Sequence, residues 1–286
     1  MTQQFDQSHR VFACIDGSSV SDSVCDYASW IANKVKAPLT LLHTIEQSIE
    51  PAVSDFSGAI GLGSQQELLA ELTEVEQNRN RLLIEKGRLM LNQAKERIGQ
   101  SGIEQFEVMQ RHGGLTESLI EFENKTRVVV MGIRGEAHEQ QAGVGQQLET
   151  VIRSLHKPIL VVNKAFKQPK KVMLAYDGSV SCIKALNMVA ASPLFQGLPC
   201  HIVHVGENAQ AMLEEAANIL QAVGIDVTTA LVDGKIEENL VQYQADHDID
   251  LMLMGAFSHH RLRDILLGSF TAKMLAATQK PLLLLR

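Results

Sequence analysis

VFACIDGSSVS, residues 11–21, returns later in the chain as VMLAYDGSVSC, residues 172–182. Each stretch is an apolar run that ends in Asp-Gly-Ser and passes into a helical pattern. In the first, Val24, Ala28, Ile31 and Val35 recur at helical spacing. Other segments recur in the same order. LLHTIE (41–46), with His43 and Glu46, matches IVHVGE (202–207), with His204 and Glu207. GGLTESLIEF (113–122) resembles DGKIEENLVQY (233–243), and VVVMGIRG (128–135) matches LMLMGAFS (251–258). KPILVVN (157–163) matches KPLLLLR (280–286). A shared motif order of this kind marks a tandem duplication. The polar, lysine-rich NKAFKQPKK (163–171) joins the halves, so the expected domains are 1–165 and a shorter 166–286.

Each repeat closes with two apolar runs, Val128–Met131 then Ile159–Val162, and Leu251–Met254 then Leu282–Leu285. Apolar strands without alternation, separated by helices, predict parallel sheets covered on both faces. The fold class is therefore α/β, two tandem doubly wound domains of about five strands each. The last run of each repeat is expected at a sheet edge, and apolar edges aggregate unless covered. We expect these two strands to pair with each other across a pseudo-twofold axis, an intrachain pseudo-dimer. The middles of the repeats differ. The first has a glycine-punctuated loop, DFSGAIGLGS (55–64), then a long helix whose Ser64 and Glu67 form a capping box. Leu68, Val75, Leu82 and Leu89 recur every seven residues, which predicts a buried seam. Packing against its own sheet is the simpler expectation; a coiled coil between chains, and hence a homodimer, is the other. The second repeat keeps a shorter helix, around Ala209–Val223.

The composition, 45% hydrophobic and 21% charged over 286 residues, is enough to bury a core. A net charge of −7 argues against a general nucleic-acid binder but not against one local anion. MTQQFDQSHR has no apolar h-region, and no apolar run approaches membrane-spanning length, so neither a signal peptide nor a membrane span is expected. Cys14, Cys25, Cys182 and Cys200 form no C-x-x-C pair and read as free buried thiols of a cytoplasmic protein. G-x4-G-K-[ST], G-x-S-x-G and H-E-x-x-H are all absent. DHDID (246–250) reads as a polar connection rather than a metal site, His43 and His204 as hydrogen-bonded structural residues, and Trp30 as core or interface.

In an open parallel sheet, ligands bind beyond the carboxyl ends of the strands, where strand order reverses. The residues there are Asp16-Gly17-Ser18 and Asp177-Gly178-Ser179, then Gly132 and Gly255. An Asp in this place can accept from a ribose hydroxyl or a base amine, or cap the next helix. Glycine spacing carries more information. Gly132-x2-Gly135-x9-Gly145-Gln146 in the first repeat corresponds to Gly255-x2-Ser258-x9-Gly268-Ser269 in the second. Glycines let backbone N–H groups approach phosphate oxygens, and a helix N-terminus adds the positive end of its dipole. Ser269 adds a hydroxyl.

On these motifs the chain resembles a tandem member of the universal stress protein family, over nearly its whole length. The resemblance implies a parallel sheet of order 3-2-1-4-5 in each domain, with helices on both faces. It also implies an adenine nucleotide, ATP alone or with Mg2+, held at the phosphates by G-x2-G-x9-G-[ST]. The adenosine would be held by Asp177 and Val205 in the second repeat, and by Asp16 and Thr44 in the first. Gln146 replaces the hydroxyl residue in the first repeat, and Ser258 the middle glycine in the second. Between Gly132 and Gln146 there are one arginine and two glutamates, whereas Gly255–Ser269 holds Arg261, Arg263 and Asp264 with two histidines. A triphosphate is thus expected mainly in the second repeat. The implied function is a cytoplasmic regulatory module with at most slow ATP turnover. The alternatives are a non-nucleotide scaffold acting through protein contacts and, behind it, an adenylate-forming enzyme.

Overall fold

The computed structural model describes residues 9–46, 62–103, 105–136, 143–255 and 269–286, the side chains of 62–69 and 269 excepted. Strands β1 (Arg10–Cys14), β2 (Leu39–Ile45), β3 (Phe106–His112), β4 (Thr126–Gly132) and β5 (Ile159–Val162) alternate with α1 (Ser21–Val35), α2 (Leu62–Gln100), α3 (Leu115–Glu121) and α4 (Gln146–Ser154). The second half repeats the plan. It has β6 (Val172–Ala175), β7 (Cys200–Val205), β8 (Val227–Val232), β9 (Leu251–Gly255) and β10 (Leu282–Leu285), with α5 (Val180–Ala191), α6 (Gln210–Gln221), α7 (Ile236–Asp246) and α8 (Ser269–Ala277). Strand β5 stops at Val162 and β6 starts at Val172, on either side of the lysine-rich connector.

Among the described residues the strands form one sheet in the order β3-β2-β1-β4-β5-β10-β9-β6-β7-β8. Each half has the order 3-2-1-4-5, and its pairs are parallel. The halves meet through one antiparallel pair, β5 with β10, in which Leu160 faces Leu283. These two residues are equivalent in KPILVVN and KPLLLLR, so the pseudo-twofold axis passes between them. The residues that follow obey the same symmetry. Asn163 Nδ2 donates to the carbonyls of Thr278 and Lys280 beyond α8, at 2.9 and 3.0 Å. Arg286, its counterpart, donates to the carbonyls of Ile152 and Leu155 at the end of α4. Each half thereby donates to carbonyls at or just beyond the C-terminal end of a helix of the other half.

Side chains alternate across the sheet and feed two cores. Leu160, Val162, Leu283 and Leu285 enter a cluster with α1, α5, α6 and the C-terminal part of α2. Ile159, Val161, Leu282 and Leu284 enter the opposite cluster with α3, α4, α7 and α8. Both cores cross from one half to the other. All four cysteines are free and buried, and burial pushes the Cys25 and Cys200 thiols up to about 12. Trp30 sits in the first core.

The seam expected on α2 is not buried. Val75, Leu82 and Leu89 are 63%, 70% and 58% exposed. The face that packs is instead Gly87, Leu91, Ala94 and Ile98, near the C-terminal end. The seven-residue period marks the face turned away from the packed one, as Leu89 between buried Gly87 and Leu91 shows, and N-terminal to Gly87 no side chain of residues 70–86 is buried at all. The helix also begins at Leu62, so Ser64 lies inside it and does not open it as a cap. Most of the 55–64 loop lies outside the described residues.

The connector is tied down by Asp250, the last residue of DHDID. Its Oδ1 accepts from Lys167 Nζ at 2.7 Å and its Oδ2 from the Lys170 amide at 2.9 Å. Burial works to raise the Asp250 pKa, but these bonds outweigh it and hold the carboxyl below its ordinary value. This stabilisation is present above the ordinary carboxylate value and is lost as pH falls through the lower folded value. Asp250→Ala is expected to cost about 1–3 kcal/mol near neutral pH, since the Lys170 amide loses its acceptor. Urea unfolding along a pH series should show the gap from the parent closing in acid; a gap unchanged at about pH 3 would contradict the assignment.

Candidate functional site

Parallel order puts the carboxyl ends of β1, β2 and β4 side by side, and a cavity of about 660 Å³ opens beyond them. Asp16, Thr44, Gly132, Gly135 and Gly145, all expected from sequence, line it together. In the second half Asp177 follows β6, Val205 ends β7 and Gly255 ends β9, beside one another in the sheet. Ser258 and Gly268 lie outside the described residues. Ser269 is the first residue of α8.

The Asp-Gly-Ser turn is built the same way twice. Gly17 and Gly178 have φ of 84° and 72°, where a side chain would be strained. The preceding carboxylate closes each turn. Asp16 Oδ1 accepts from the Ser18 amide at 3.0 Å and from Ser21 Oγ at 3.1 Å. Asp177 Oδ1 accepts from the Ser179 amide at 2.9 Å. Burial acts to raise the Asp177 pKa, but hydrogen bonds from Ser179 and Cys182 prevail and keep the carboxyl ionised. Neither aspartate caps a helix; Ser179 does, accepting from the Cys182 amide. A methionine covers each turn glycine. A Cβ at Gly17 would lie 2.4 Å from Met90 Sδ, and one at Gly178 2.5 Å from Met212 Sδ. The sequence reading missed this pair, although the duplicated glycines were its signal.

The histidines are hydrogen-bonded to backbone, as expected. His43 Nδ1 donates to the Ile15 carbonyl at 2.7 Å, and His204 Nδ1 to the Tyr176 carbonyl at 2.8 Å. A carbonyl only accepts, so Nδ1 carries the proton in both rings. Each bond fastens the second strand of its half to the turn that carries the aspartate.

The motif glycines divide by what surrounds them. A Cβ at Gly132 would lie 2.8 Å from Val20 Cγ2 and 3.2 Å from the Arg134 carbonyl oxygen. At Gly145 it would meet the Ile133 oxygen at 3.1 Å and Arg134 Cα at 3.2 Å. At Gly255 it would lie 2.9 Å from backbone atoms of Ser181. Backbone thus excludes a Cβ at Gly255, while at Gly132 and Gly145 a Cβ would be crowded and its neighbours would have to give way. Gly135 differs, since among the described residues its Cβ would find only Asp16 Oδ2, at 3.4 Å.

Polar groups around the cavity are tethered. Arg134 Nε donates to the Gly143 carbonyl at 2.7 Å, Gln147 Nε2 to Glu46 at 2.8 Å, and Lys86 Nζ, from α2, to Glu136 Oε1 at 2.8 Å. Among the described lining residues Asp16, Glu46, Glu117 and Glu136 stand against Arg134 alone. The N-terminus of α4 has no side-chain cap. The cavity therefore offers hydrogen-bond acceptors and a helix dipole, but a negative balance of side chains. No group of three or more potential metal ligands occurs among the described residues, and no described helix is long and apolar enough to cross a membrane.

A family model for the universal stress proteins matches residues 7–163 and 206–286. A universal stress protein of Synechocystis sp. is 39% identical over 285 residues, covering 97% of this chain and 99% of its own. In fold alone, a universal stress protein of Archaeoglobus fulgidus is similar with a TM-score of 0.71 at 19% identity, covering 98% of this chain and 97% of its own. A functionally unknown protein of Pseudomonas aeruginosa has a TM-score of 0.63 at 14% identity, with 97% and 92% covered.

The division among the glycines is testable by thermal and urea unfolding. Gly145→Ala pushes a methyl into backbone and should cost about 1–3 kcal/mol. Gly135→Ala should leave stability unchanged within about 0.5 kcal/mol, because its Cβ enters open cavity. Equal losses in the two variants would remove the distinction.

Proposed function

The chain belongs to the universal stress protein family, and from that premise we propose that it is a cytoplasmic stress-response module that binds an adenine nucleotide without rapid turnover. The observation that carries the proposal is the cavity beyond β1 and β4. Its volume of about 660 Å³ falls within the range of small-molecule sites. It lies at the reversal of strand order, where α/β sheets hold ligands. Asp16 and Thr44 are assigned to the adenosine, and the start of α4 with Gly132, Gly135 and Gly145 to phosphate; all five residues line the cavity. Asp177 and Val205 occupy the matching places in the second half.

The two sites are proposed to be unequal. Four carboxylates against one arginine in the first cavity oppose a triphosphate, whereas Arg261 and Arg263 give the second glycine segment a positive balance. ATP, alone or as its Mg2+ complex, is assigned mainly to 166–286, the proposed second domain, with Gly255, Ser258, Gly268 and Ser269 around the phosphates. One observation favours a second reading, a scaffold that binds no nucleotide: a Cβ at Gly132, Gly145 or Gly255 would crowd the protein's own atoms, so packing gives each glycine a role without any ligand. Mass spectrometry of nucleotide released from the denatured protein separates the two.

Titration calorimetry should find ATP at the second half and weak or no ATP binding at the first; two equal sites would sink the ranking. Gly268→Val should block phosphate approach. Ser269→Ala should weaken ATP roughly ten- to a hundredfold by removing one hydrogen bond to a charged group. Adenosine, which has no phosphates, should bind the variants like the parent. If both variants melt earlier yet bind ATP unchanged, these residues only cap a helix and the scaffold reading stands.

A further inference from the structure

Helix α2 has two unlike parts. Its C-terminal third is built into the domain through Gly87, Leu91, Ala94 and Ile98, and through Arg97, which bonds Asp22 and Asp26. From residue 70 to 86 no side chain is buried. Isolated helices are marginal in water, and most helical stability in proteins comes from packing an apolar face. That apolar face exists here and is uncovered: Val75, Leu82 and Leu89 at a seven-residue period, with Leu68 continuing the spacing in sequence. A seven-residue repeat suits a left-handed pair of helices. Within one chain the sheet edges β5 and β10 are already used on each other, so the stripe is a separate surface.

The charges identify the occupant. Residues 67–76 contain Glu67, Glu71, Glu74 and Glu76 and no basic residue. Residues 79–88 contain Arg79, Arg81, Lys86 and Arg88 with only Glu85 opposing them. Two parallel copies would set acid against acid and base against base, which is destabilising. Reversing one copy sets acid against base. The apolar stripe has the same dyad. An alignment that places Val75 opposite the partner's Leu82 also places Leu68 opposite the partner's Leu89. In that register Glu74 and the partner's Arg81 lie on the same flank of the stripe, within about two residues of being level. The centre falls between Asn78 and Arg79, a polar step that resists slippage by one heptad.

We propose that α2 is a dimerisation arm, and that its stripe is covered by α2 of a second copy of this chain in antiparallel register. The contact spans 68–89, roughly 33 Å of helix. A single narrow seam of this length implies a reversible dimer, and the stripe stays available at low concentration.

Sedimentation of the full chain over a concentration series, up to roughly 100 μM, should show a monomer–dimer equilibrium. Leu82→Glu should raise the dissociation constant at least tenfold with helix content and melting temperature unchanged, since the side chain touches neither core. Orientation has its own readout. Mixing Val75→Cys chains with Leu82→Cys chains should give a disulfide-linked heterodimer on mild oxidation, whereas Val75→Cys alone should not cross-link. Arg81→Glu should weaken the dimer, and adding Glu74→Arg to it should restore the affinity. A monomer throughout the series, self-cross-linking of Val75→Cys, or failure of the charge swap to rescue would each overturn the antiparallel arm. A parent that stays monomeric alone but recruits a different protein through the stripe would overturn it as well.

Discussion

The antiparallel pairing of β5 with β10 is the constraint on which the rest of the molecule depends. Four consecutive apolar residues at the end of each repeat make a strand too hydrophobic to leave at an open edge. Joined, all eight side chains are at most 3% exposed, and each contributes on the order of 1.5–3 kcal/mol by leaving water. Pairing also fixes everything downstream. Once Leu160 meets Leu283, the two sheets become one, alternation sends odd and even side chains into two common cores, and the residues just past each strand reach the helix ends of the other half. Asn163 and Arg286 differ in chemistry but do the same work, because symmetry presents each with carbonyls at a helix end of the other half.

Nearly all of this was legible in the sequence, for a definite reason. Duplication supplies each signal twice, so Asp16 and Asp177, or His43 and His204, could be recognised by recurrence where a single occurrence would be ambiguous. Unalternated runs such as Val128–Met131 could only be strands covered on both faces. The pairing of β5 and β10 followed from the need to hide an edge. What failed was the seam of α2. A period of seven says that one stripe is apolar; it carries no information about which body covers it. The sequence also could not separate glycines demanded by the chain from those serving a ligand. Gly132, Gly145 and Gly135 read alike in the motif, and only the distances to Arg134, Ile133 and Asp16 set them apart. Met90 and Met212 went unnoticed because unbranched, adaptable side chains fill such gaps without any pattern.

The two halves keep one backbone solution while their surroundings diverge. Both retain the left-handed glycine, the carboxylate that closes its turn, the methionine above it and the histidine that ties the second strand to it. These features hold geometry at the strand ends and would be kept by either half whether or not it held a ligand. Chemistry lies in what was added around them. The first half has carboxylates at its cavity and a long helix. The second kept a short helix and a basic glycine segment.

Helix α2 is where that divergence is concentrated. Its anchored third meets the first cavity at three points: Met90 over Gly17, Gly87 where any Cβ would lie 2.6 Å from His43, and Lys86 on Glu136. A glycine in a helix interior costs about 1 kcal/mol relative to alanine, and at Gly87 a Cβ would meet Gln110 Nε2 at 2.3 Å and the His43 ring at 2.6 Å, so the close approach of the helix favours glycine there. The insertion that lengthened the first repeat was thus fitted against the strand-end turn at one end. At the other it carries an apolar stripe and segregated charge beyond anything its own sheet can cover. In a helix that had only to cover β2 and β3, neither feature would have a purpose.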